Sequence, residues 1–206
     1  RVTTRQSHSA LEKALIDFLA ERGVSVNPLV LAGRSLIWEG REYFIDVRPL
    51  IDGRHFNGSQ EDLRHLAGTL SSCHRALAVF PHAEDIRRTA RARASRHEDI
   101  RKRIAEAVES GTFDTFAELA TWATGRGEWF AEMADLFNPN LEEAPGAQCV
   151  HGEVHSGNVL FRSNDGAAVL VDFEESTHLF TSPAWDLAFL VQRFCLRDDP
   201  APSEAR

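Results

Sequence analysis

The sequence has few lysines and no long apolar run. Of 23 basic residues only Lys13 and Lys102 are lysines, and 31 acidic residues give a formal net charge of -8. Proteins that bind nucleic acid through its phosphates usually carry an excess of basic residues, so this balance argues against nucleic acid as a partner. No apolar stretch approaches the roughly 20 residues that span a bilayer, so we expect no membrane segment.

Cysteine is also scarce. Cys73, Cys149 and Cys195 are an odd number, and no two have Cys-x-x-Cys spacing. Free thiols in a reducing compartment explain such a set better than a disulfide framework, and the N-terminus has no apolar signal core. We therefore expect a cytoplasmic protein. The chain begins at Arg1 without a methionine and ends among polar residues, and we expect that both ends are trimmed.

The first part of the chain predicts a helix and a strand pair. Ser9 and Glu12 form a Ser-x-x-Glu capping signature, and a helix over 9–22 should end at Gly23. Its apolar face contains Leu11, Leu15, Phe18 and Leu19. Segments 35–38 and 42–47 are rich in aromatic and branched residues, and predict strands joined by a tight turn at 39–41.

The stretch 49–53, which contains Pro49 and Gly53, predicts a hinge. Beyond it, apolar residues at three- and four-residue steps predict an amphipathic helix that ends before Pro81: Leu63, Leu66, Leu70, Cys73 and Leu77. Residues 83–109 carry densely interleaved charges of both signs, which favours a solvated helix over a nucleic-acid-binding one. The segment 115–137 is again helix-like.

A β-hairpin is predicted from 158–162 and 168–173, which flank the turn sequence Ser-Asn-Asp-Gly. Pairing about the centre of that turn sets Asn158 opposite Val171 and Gly157 opposite Asp172, give or take one register step. Asn158 and Asp172 are then neighbours, and their oxygen atoms suit a shared magnesium ion. Glu153 is a third candidate in the loop just before the hairpin.

A carboxylate in a tight loop, an Asn five residues later and an Asp after the next strand are the residue types that phosphoryl transfer uses. The first acid orients the attacking hydroxyl, and the Asn and Asp hold the magnesium that bridges the nucleotide phosphates. The predicted roles fall to Glu153, Asn158 and Asp172.

The motif HGEVHSGNVLF at 151–161 resembles the HGDxHxxN catalytic loop of the aminoglycoside phosphotransferase and choline kinase superfamily. VDFEE from Val171 resembles its metal-binding strand end, and PAWDLA at 183–188 completes a dense match over about 40 residues. The resemblance implies a two-lobe, protein-kinase-like α+β fold. A small β-rich lobe would cover 1–52, and a mainly helical lobe with the catalytic hairpin would cover 53–206.

The resemblance also implies an ATP- and Mg²⁺-dependent kinase that transfers the γ-phosphate to a hydroxyl of a small molecule. It gives Glu153 the catalytic carboxylate, His151 an ordering role in the loop, and Asp186 the role of a brace. Glu12 would pair with an ATP-binding basic residue, which is either Arg1 or a residue upstream of this sequence. The segment that includes Arg48, Leu50 and Ile51 would border the adenine pocket.

Acidic residues between 128 and 143, which include Glu132, Asp135 and Glu142, lie where this family meets a cationic acceptor. They favour an alcohol that also bears an amine, such as an aminoglycoside, a choline-like compound or another amino-alcohol. This expectation rests on analogy at the level of the fold.

The chain departs from the family pattern in three ways. Glu153 replaces the family's Asp and is longer by one methylene, no glycine-rich loop is visible, and no lysine lies on a first-lobe strand. These departures motivate an alternative, a non-catalytic nucleotide-binding module of the kinase type. The alternation of His151, Glu153 and His155 also suggests a catalytic zinc site. The sequence lacks the Cys ligands of zinc deaminases and the His-Glu-x-x-His motif of metalloproteases, which argues against this alternative.

Overall fold

The computed structural model describes residues 2–3, 6–109 and 141–196. The strands are β1 (Val2–Thr3), β2 (Leu31–Trp38), β3 (Arg41–Val47), β4 (Gly53–Arg54), β5 (Gln148–Cys149), β6 (Val159–Arg162), β7 (Ala168–Leu170) and β8 (Phe180–Thr181). The helices are α1 (Gln6–Glu21), α2 (Gln60–Leu77), α3 (Ala83–Glu109) and α4 (Ala184–Leu190). Short 3₁₀ turns cover Leu141–Glu143 and Glu175–Thr177, and a π-helical turn covers Val191–Cys195.

Helix α1 ends at a glycine, as predicted. Gly23 has a φ of +74°, and the N–H groups of Gly23 and Val24 donate to the carbonyls of Ala20 and Leu19 at 2.9 and 3.0 Å. These bonds form a Schellman motif, in which glycine readily adopts the left-handed backbone that terminates a helix. The predicted apolar face is confirmed, since its residues are buried or partly buried: Leu11, Leu15, Phe18 and Leu19.

The predicted capping box at Ser9 and Glu12 is wrong. Helix α1 begins at Gln6, so Ser9 lies within the helix, whereas an N-cap residue has a non-helical backbone. Glu12 is buried and forms an ion pair with Arg48 instead. Its contacts favour the other expected role, that of partner to a basic residue.

The predicted strand pair is present, and its first strand begins earlier than expected, at Leu31. Strands β2 and β3 are antiparallel, with Trp38 opposite Arg41. Glu39 and Gly40 have φ values of +49° and +74°, which are the left-handed conformations of a two-residue type I′ turn. Strand β1 pairs with the other side of β3, so the order of this sheet is β1-β3-β2.

The connection at 48–52 leads into β4, which pairs with β6 of the later hairpin. Helix α2 begins after Ser59, whose hydroxyl accepts a hydrogen bond from the Asp62 N–H at 3.1 Å. The Asp62 carboxylate also accepts two hydrogen bonds from Arg54, at 2.7 and 2.8 Å. Burial raises the pKa of Asp62, but the Arg54 and backbone hydrogen bonds outweigh it and the net shift is downward. These contacts fix the start of α2 beside β4, while the predicted lobe boundary at residue 52 stays a prediction.

Helices α2 and α3 agree with the predictions. The buried stripe of α2 is present and the helix ends at Leu77, ahead of Pro81, while α3 has the predicted bounds of 83–109. The predicted helix over 115–137 lies outside the described residues, as does Arg1. Among the helices that are described, none has the length and apolar character needed to cross a membrane.

The predicted hairpin and its register are confirmed, although its second strand ends at Leu170 and not at Phe173 as predicted. In the β6–β7 ladder Val159 is opposite Leu170 and Phe161 is opposite Ala168, and the ladder extends the sheet β4-β6-β7. Residues of α1, α2 and the hairpin share a hydrophobic core that includes Leu15, Leu19, Leu66, Leu70, Leu77, Val159, Phe161 and Leu170. This shared core holds the hairpin, and the loop that precedes it, against two helices.

Candidate active site

The loop from His151 to Asn158 connects β5 to β6. Its two ends are buried, and Glu153 between them is exposed. Two backbone hydrogen bonds tighten the loop, from the His155 N–H to the Glu153 carbonyl at 3.0 Å and from the Asn158 N–H to the His155 carbonyl at 2.9 Å. The loop therefore presents the Glu153 side chain to solvent from a fixed backbone.

Asp186 holds the buried end of this loop. Its carboxylate accepts hydrogen bonds from the N–H groups of His151 and Gly152, both at 2.8 Å, and a third contact joins it to His74 Nε2, also at 2.8 Å. Asp186 is fully buried, and hydrogen bonds from several donors compensate for taking a carboxylate out of water. The sequence predicted a brace at this position, and these are the contacts through which it would act.

The peptide between His151 and Glu153 is also fixed from the opposite side. The Ser176 hydroxyl donates to the His151 carbonyl at 2.8 Å, and Trp185 Nε1–H donates to the Gly152 carbonyl at 3.0 Å. Gly152 has a φ of +94°, and a Cβ atom there would lie 3.0 Å from the Cβ of Glu175. Only glycine satisfies both the backbone conformation and the close approach.

His151 is fully buried, an environment that favours the neutral imidazole. Burial lowers the pKa of its imidazole, although the charge of Asp186 opposes this. In the neutral ring, Nε2–H donates to the Val171 carbonyl at 3.1 Å, and Nδ1 accepts from the Glu153 N–H at 3.4 Å. The ring therefore links the loop to the strand end before Asp172, which fits the predicted ordering role.

The hairpin register places the backbones of Asn158 and Asp172 at its open end. The ladder extends by a hydrogen bond from the Val171 N–H to the Asn158 carbonyl at 3.0 Å, so Asn158 stands opposite Val171 and Asp172 follows at once. Asp172 has a φ of +60°, a left-handed conformation that is uncommon outside glycine and is concentrated at functional sites. The Asn158 Nδ2 donates to the Glu153 carbonyl at 3.1 Å, which leaves the amide oxygen as the potential metal ligand.

The donor set fits magnesium. Asn158 and Asp172 offer one amide oxygen and one carboxylate, and magnesium is typically held by one or two protein oxygen ligands together with water and substrate phosphates. Across residues 2–3, 6–109 and 141–196 there is no cluster of three or more His, Cys, Asp or Glu side chains arranged to hold a metal ion. A catalytic zinc site would need three protein ligands.

A cavity of about 250 Å³ lies between α3 and the loop, and Gly152 and Glu153 form part of its wall. Much of the remaining wall is apolar or aromatic: Leu141, Leu179, Phe180, Trp185 and Phe189. Glu153 therefore faces a space that can receive a small molecule whose apolar portion contacts aromatic rings.

Three carboxylates line this cavity, and two of them are ion-paired with arginines. Its described lining residues include three carboxylates, Glu142, Glu153 and Glu175, and one guanidinium, Arg93. Arg93 is ion-paired with Glu175, and Arg91 donates through Nε to the buried Glu142 at 3.1 Å. Of the acids predicted to meet an acceptor, Glu142 is thus at the cavity, while Glu132 and Asp135 lie outside the described residues.

The predicted nucleotide side contains a buried ion pair. Arg48 Nη2 lies 2.5 Å from Glu12 Oε1, and Arg48 Nη1 donates to the Asn27 carbonyl at 3.1 Å. Among the described residues, Arg48 is therefore a basic partner of Glu12, while the predicted partner Arg1 lies outside them. Leu50 is almost fully exposed, and it lines a second cavity of about 390 Å³ together with Ile51. The adenine-pocket assignment of this segment stays a prediction.

Several residues of the site were not identified from the sequence. His74 contacts Asp186 across 112 positions of the chain, and Ser176 contacts the His151 carbonyl across 25. Arg93 was assigned only to a solvated helix, yet it lines the cavity. Each role depends on how distant elements pack, and the local pattern of the sequence carries no signal for it. For Gly152 the sequence did carry a signal, since the glycine of the HGE motif indicates a position where another part of the chain comes close to the backbone.

Comparison with known proteins agrees with the fold and with the motifs. A family model described as "Phosphotransferase enzyme family" matches residues 4–206. A search of curated protein sequences found no match. The solved structures that resemble this chain include an amicoumacin kinase, hAmiN, in complex with AMP-PNP, Ca²⁺ and Ami, with a TM-score of 0.54 and 15% identity over 98% of this chain. They also include the AMP-bound spectinomycin phosphotransferase APH(9)-Ia, with a TM-score of 0.50 and 15% identity over 91% of this chain.

The matched region covers 59% of the amicoumacin kinase chain and 60% of the spectinomycin phosphotransferase chain, so this chain spans about three fifths of their length. At this identity the likeness concerns the fold, which is the α+β fold of the kinase-like phosphotransferases. The family model, in contrast, covers nearly the whole sequence. The chain belongs to the phosphotransferase enzyme family, within the aminoglycoside phosphotransferase superfamily.

Proposed function

We propose that this chain carries the phosphoryl-transfer centre of an ATP- and Mg²⁺-dependent kinase that phosphorylates a hydroxyl group of a small molecule. The main support is the hairpin register. In that register Asn158 is opposite Val171, the residue before Asp172, and Glu153 in the preceding loop lines a cavity. Phosphoryl transfer requires little covalent chemistry from a protein, so positioning of this kind supplies most of the catalysis.

Glu153 is the proposed group that accepts the proton of the acceptor hydroxyl. The buried bonds at His151 and Gly152 fix the backbone from which this side chain extends, and the side chain itself is exposed to the cavity. General-base help of this type is typically worth about 10² to 10⁴ in rate. A glutamate at this position should therefore support activity, provided that the acceptor sits one methylene further away than an aspartate would require.

Asn158 and Asp172 are the proposed ligands of the magnesium ion. The ion, when bound, would offset negative charge on the nucleotide phosphates. The hydrogen bond between Asn158 Nδ2 and the Glu153 carbonyl pre-orients the Asn158 amide. Ligands that are already oriented lose little entropy on binding, which favours a weakly held hydrated cation.

The acceptor is proposed to be a small alcohol that also bears a cationic amine. Glu142 and Glu175 are ion-paired with Arg91 and Arg93, so Glu153 supplies the net negative charge among the described lining residues, and Trp185 adds an aromatic side chain. Ammonium groups bind well to carboxylates and to aromatic faces in partly buried sites. The free thiols at Cys73, Cys149 and Cys195 support the cytoplasm as its proposed location.

The direct test is a turnover assay with Mg²⁺ and ATP on the full-length protein. Candidate acceptors should include hydroxylated amines such as 2-aminoethanol and choline, aminoglycosides, and neutral polyols of similar size as matched controls. We expect acceptor-dependent release of ADP with one or more of the amines and little with the polyols. Omission of Mg²⁺ should remove the activity.

A non-catalytic nucleotide-binding module remains the second reading because Glu153 stands in place of the family aspartate. It predicts ATP binding without ADP release across the whole panel. Restoring the aspartate by Glu153→Asp separates the two readings. A kinase whose loop is adapted to glutamate should lose activity in that variant, whereas a degenerate site should gain it or stay silent.

A further inference from the structure

Two ion pairs join helix α3 to residues that line the cavity beside Glu153, and the two pairs differ in burial. Arg91 pairs with Glu142, whose side chain is only 5% exposed. Arg93 pairs with Glu175, and these side chains are 38% and 27% exposed. A buried carboxylate depends on its partner, because an unpaired charge out of water is costly. A pair that water reaches contributes little, so a second cation can replace its arginine at small cost.

The backbone of Glu175 is fixed beside the catalytic loop. Glu175 begins the 3₁₀ turn Glu175–Thr177, and the hydroxyl of Ser176 in that turn donates to the His151 carbonyl at 2.8 Å. A Cβ atom at Gly152 would lie 3.0 Å from the Cβ of Glu175, so the two segments are in close contact. The Glu175 carboxylate therefore extends into the cavity from a backbone that is tied to the loop.

Arg93 reaches the same cavity from a helix face of small residues. Helix α3 contributes Ala90, Arg93 and Ala94 to the cavity wall, and spacings of three and four residues place them on one face of the helix. Arginine has a long, flexible stem, and its side chain regains rotamer freedom when the guanidinium is released. When the pair opens, the guanidinium moves and the Glu175 carboxylate remains beside the loop.

We propose that Glu175 binds the ammonium group of the acceptor and that Arg93 is its displaceable counter-ion, so that this pair selects cationic over neutral acceptors. A cationic acceptor replaces the guanidinium at Glu175, whereas a neutral one leaves the pair closed. Because Glu175 is tied to the loop that carries Glu153, the amine and the reacting hydroxyl of the acceptor must be a set distance apart. The role of Glu153 in this inference rests on the proposed function, while amine binding at Glu175 does not.

The two partners should change amine affinity in opposite directions. Glucosamine and glucose are the probes, because they differ by one ammonium group in place of a hydroxyl, and calorimetry on the full-length protein measures their Kd values. Arg93→Gln removes the competing cation and should tighten glucosamine binding by about 10-fold, whereas Glu175→Gln should weaken it by about 10-fold. Glucose affinity should stay within about 2-fold of wild type in either variant, because a neutral ligand does not compete for the pair.

A double variant and a surface control separate direct contact from a general electrostatic effect. If the ammonium contacts Glu175, loss of Arg93 has no effect once that carboxylate is gone. The double variant Arg93→Gln with Glu175→Gln should then bind glucosamine as weakly as Glu175→Gln alone, whereas general electrostatic effects would add and restore wild-type affinity. Arg88→Gln is the control, because Arg88 is a 74% exposed arginine of the same helix and pairs with Asp85. It should leave glucosamine binding unchanged.

Equal losses of glucosamine affinity in Arg93→Gln and Glu175→Gln would overturn the inference, since they would make the pair purely structural. A double variant that binds like wild type would overturn it too, as would an absence of glucosamine binding in both the wild type and Arg93→Gln. If Glu175→Gln does not fold, Glu175→Asp takes its place, because it keeps the charge but shortens the reach and should still weaken binding. Turnover is scored separately: the expected binding pattern without release of ADP from Mg²⁺ and ATP would remove the proposed kinase function and leave the amine site.

Discussion

The two ends of the loop at 151–158 are held in different ways. At the first end, side chains from distant elements bond to the backbone of His151 and Gly152. At the second end, Asn158 and Asp172 are placed by the pairing of two adjacent strands. Both ends are buried, but the first end is held by distant side chains that support the fold, while the second end offers the proposed metal ligands. Substitutions at the first end should therefore cost stability, and substitutions at the second should cost catalysis alone.

The largest expected effect is at the second end. Asp172→Asn removes the proposed carboxylate ligand and should lower kcat by about 10³-fold or more, because electrostatic stabilisation is a major part of this reaction. Asparagine tolerates the left-handed backbone, so the free energy of unfolding should stay within about 1 kcal/mol of wild type. Steady-state ATP turnover and urea unfolding measure the two quantities. Asp172→Ala should likewise abolish turnover.

The matched control for that substitution is Asp165→Asn in the turn of the same hairpin. Asp165 is paired with Arg162 on the surface, where ion pairs contribute little. Its replacement should leave turnover near the wild-type value. Normal turnover in Asp172→Asn, or an equal loss in Asp165→Asn, would remove the distinction between the metal-binding end and the rest of the hairpin.

The first end should respond in the opposite way. Asp186→Ala leaves two buried backbone N–H groups and His74 without their acceptor, and each unsatisfied buried group costs about 1 to 3 kcal/mol. The free energy of unfolding should therefore fall by about 3 kcal/mol, as measured by urea denaturation. The control is Asp17→Ala, whose carboxylate is half-exposed and paired with Lys13. A loss below about 1 kcal/mol at Asp186 would mean that the buried end does not depend on this brace.

Glu153 lies between the two ends, and its replacement separates chemistry from binding. Glu153→Gln should lower kcat by about 10²-fold, equivalent to about 2.7 kcal/mol of barrier, with KM for ATP and stability nearly unchanged. The side chain is exposed and no buried bond is lost. Glu143→Gln, an exposed acid near the cavity, is the control. A change in KM alone would assign Glu153 to acceptor binding rather than to proton transfer.

The difference between the two ends also explains what the sequence could predict. The hairpin register followed from one turn and from the alternation of adjacent strands, and the pairing of Val159 with Leu170 agrees with it. The helix bounds of α3 and the glycine end of α1 depend on equally local signals. Such features need no knowledge of how distant segments pack.

The contacts at the first end could not be predicted in the same way. Cys73, the residue before His74, belongs to the apolar stripe of α2, and nothing in that pattern indicates that His74 meets a carboxylate 112 positions later. At Ser9 the opposite occurred, because a local signal led to a wrong prediction. A local capping signature was present, but the helix extended beyond it to Gln6 and tertiary contacts gave Glu12 another partner.

The last and smallest expected effect is on thiol reactivity, which reports whether the segment leading into His151 is closed to solvent. Cys149 is two residues before His151 and is buried, and burial raises its pKa to about 12, while burial also raises the pKa of the enclosed Cys73. Cys195 is exposed. The thiolate is the reactive form, so at about pH 8 both buried thiols should remain protonated and inaccessible. An aromatic disulfide reagent should then modify one thiol rapidly and two slowly.

Cys195→Ser should abolish the rapid phase, and the slow phase of Cys73 and Cys149 should become rapid only in urea. If Cys149 reacts as fast as Cys195 in the native protein, the segment that leads into the loop opens readily to solvent. In that case the hydrogen bonds at His151 and Gly152 could not hold a fixed backbone, and the contrast between a held end and a reactive end would fail.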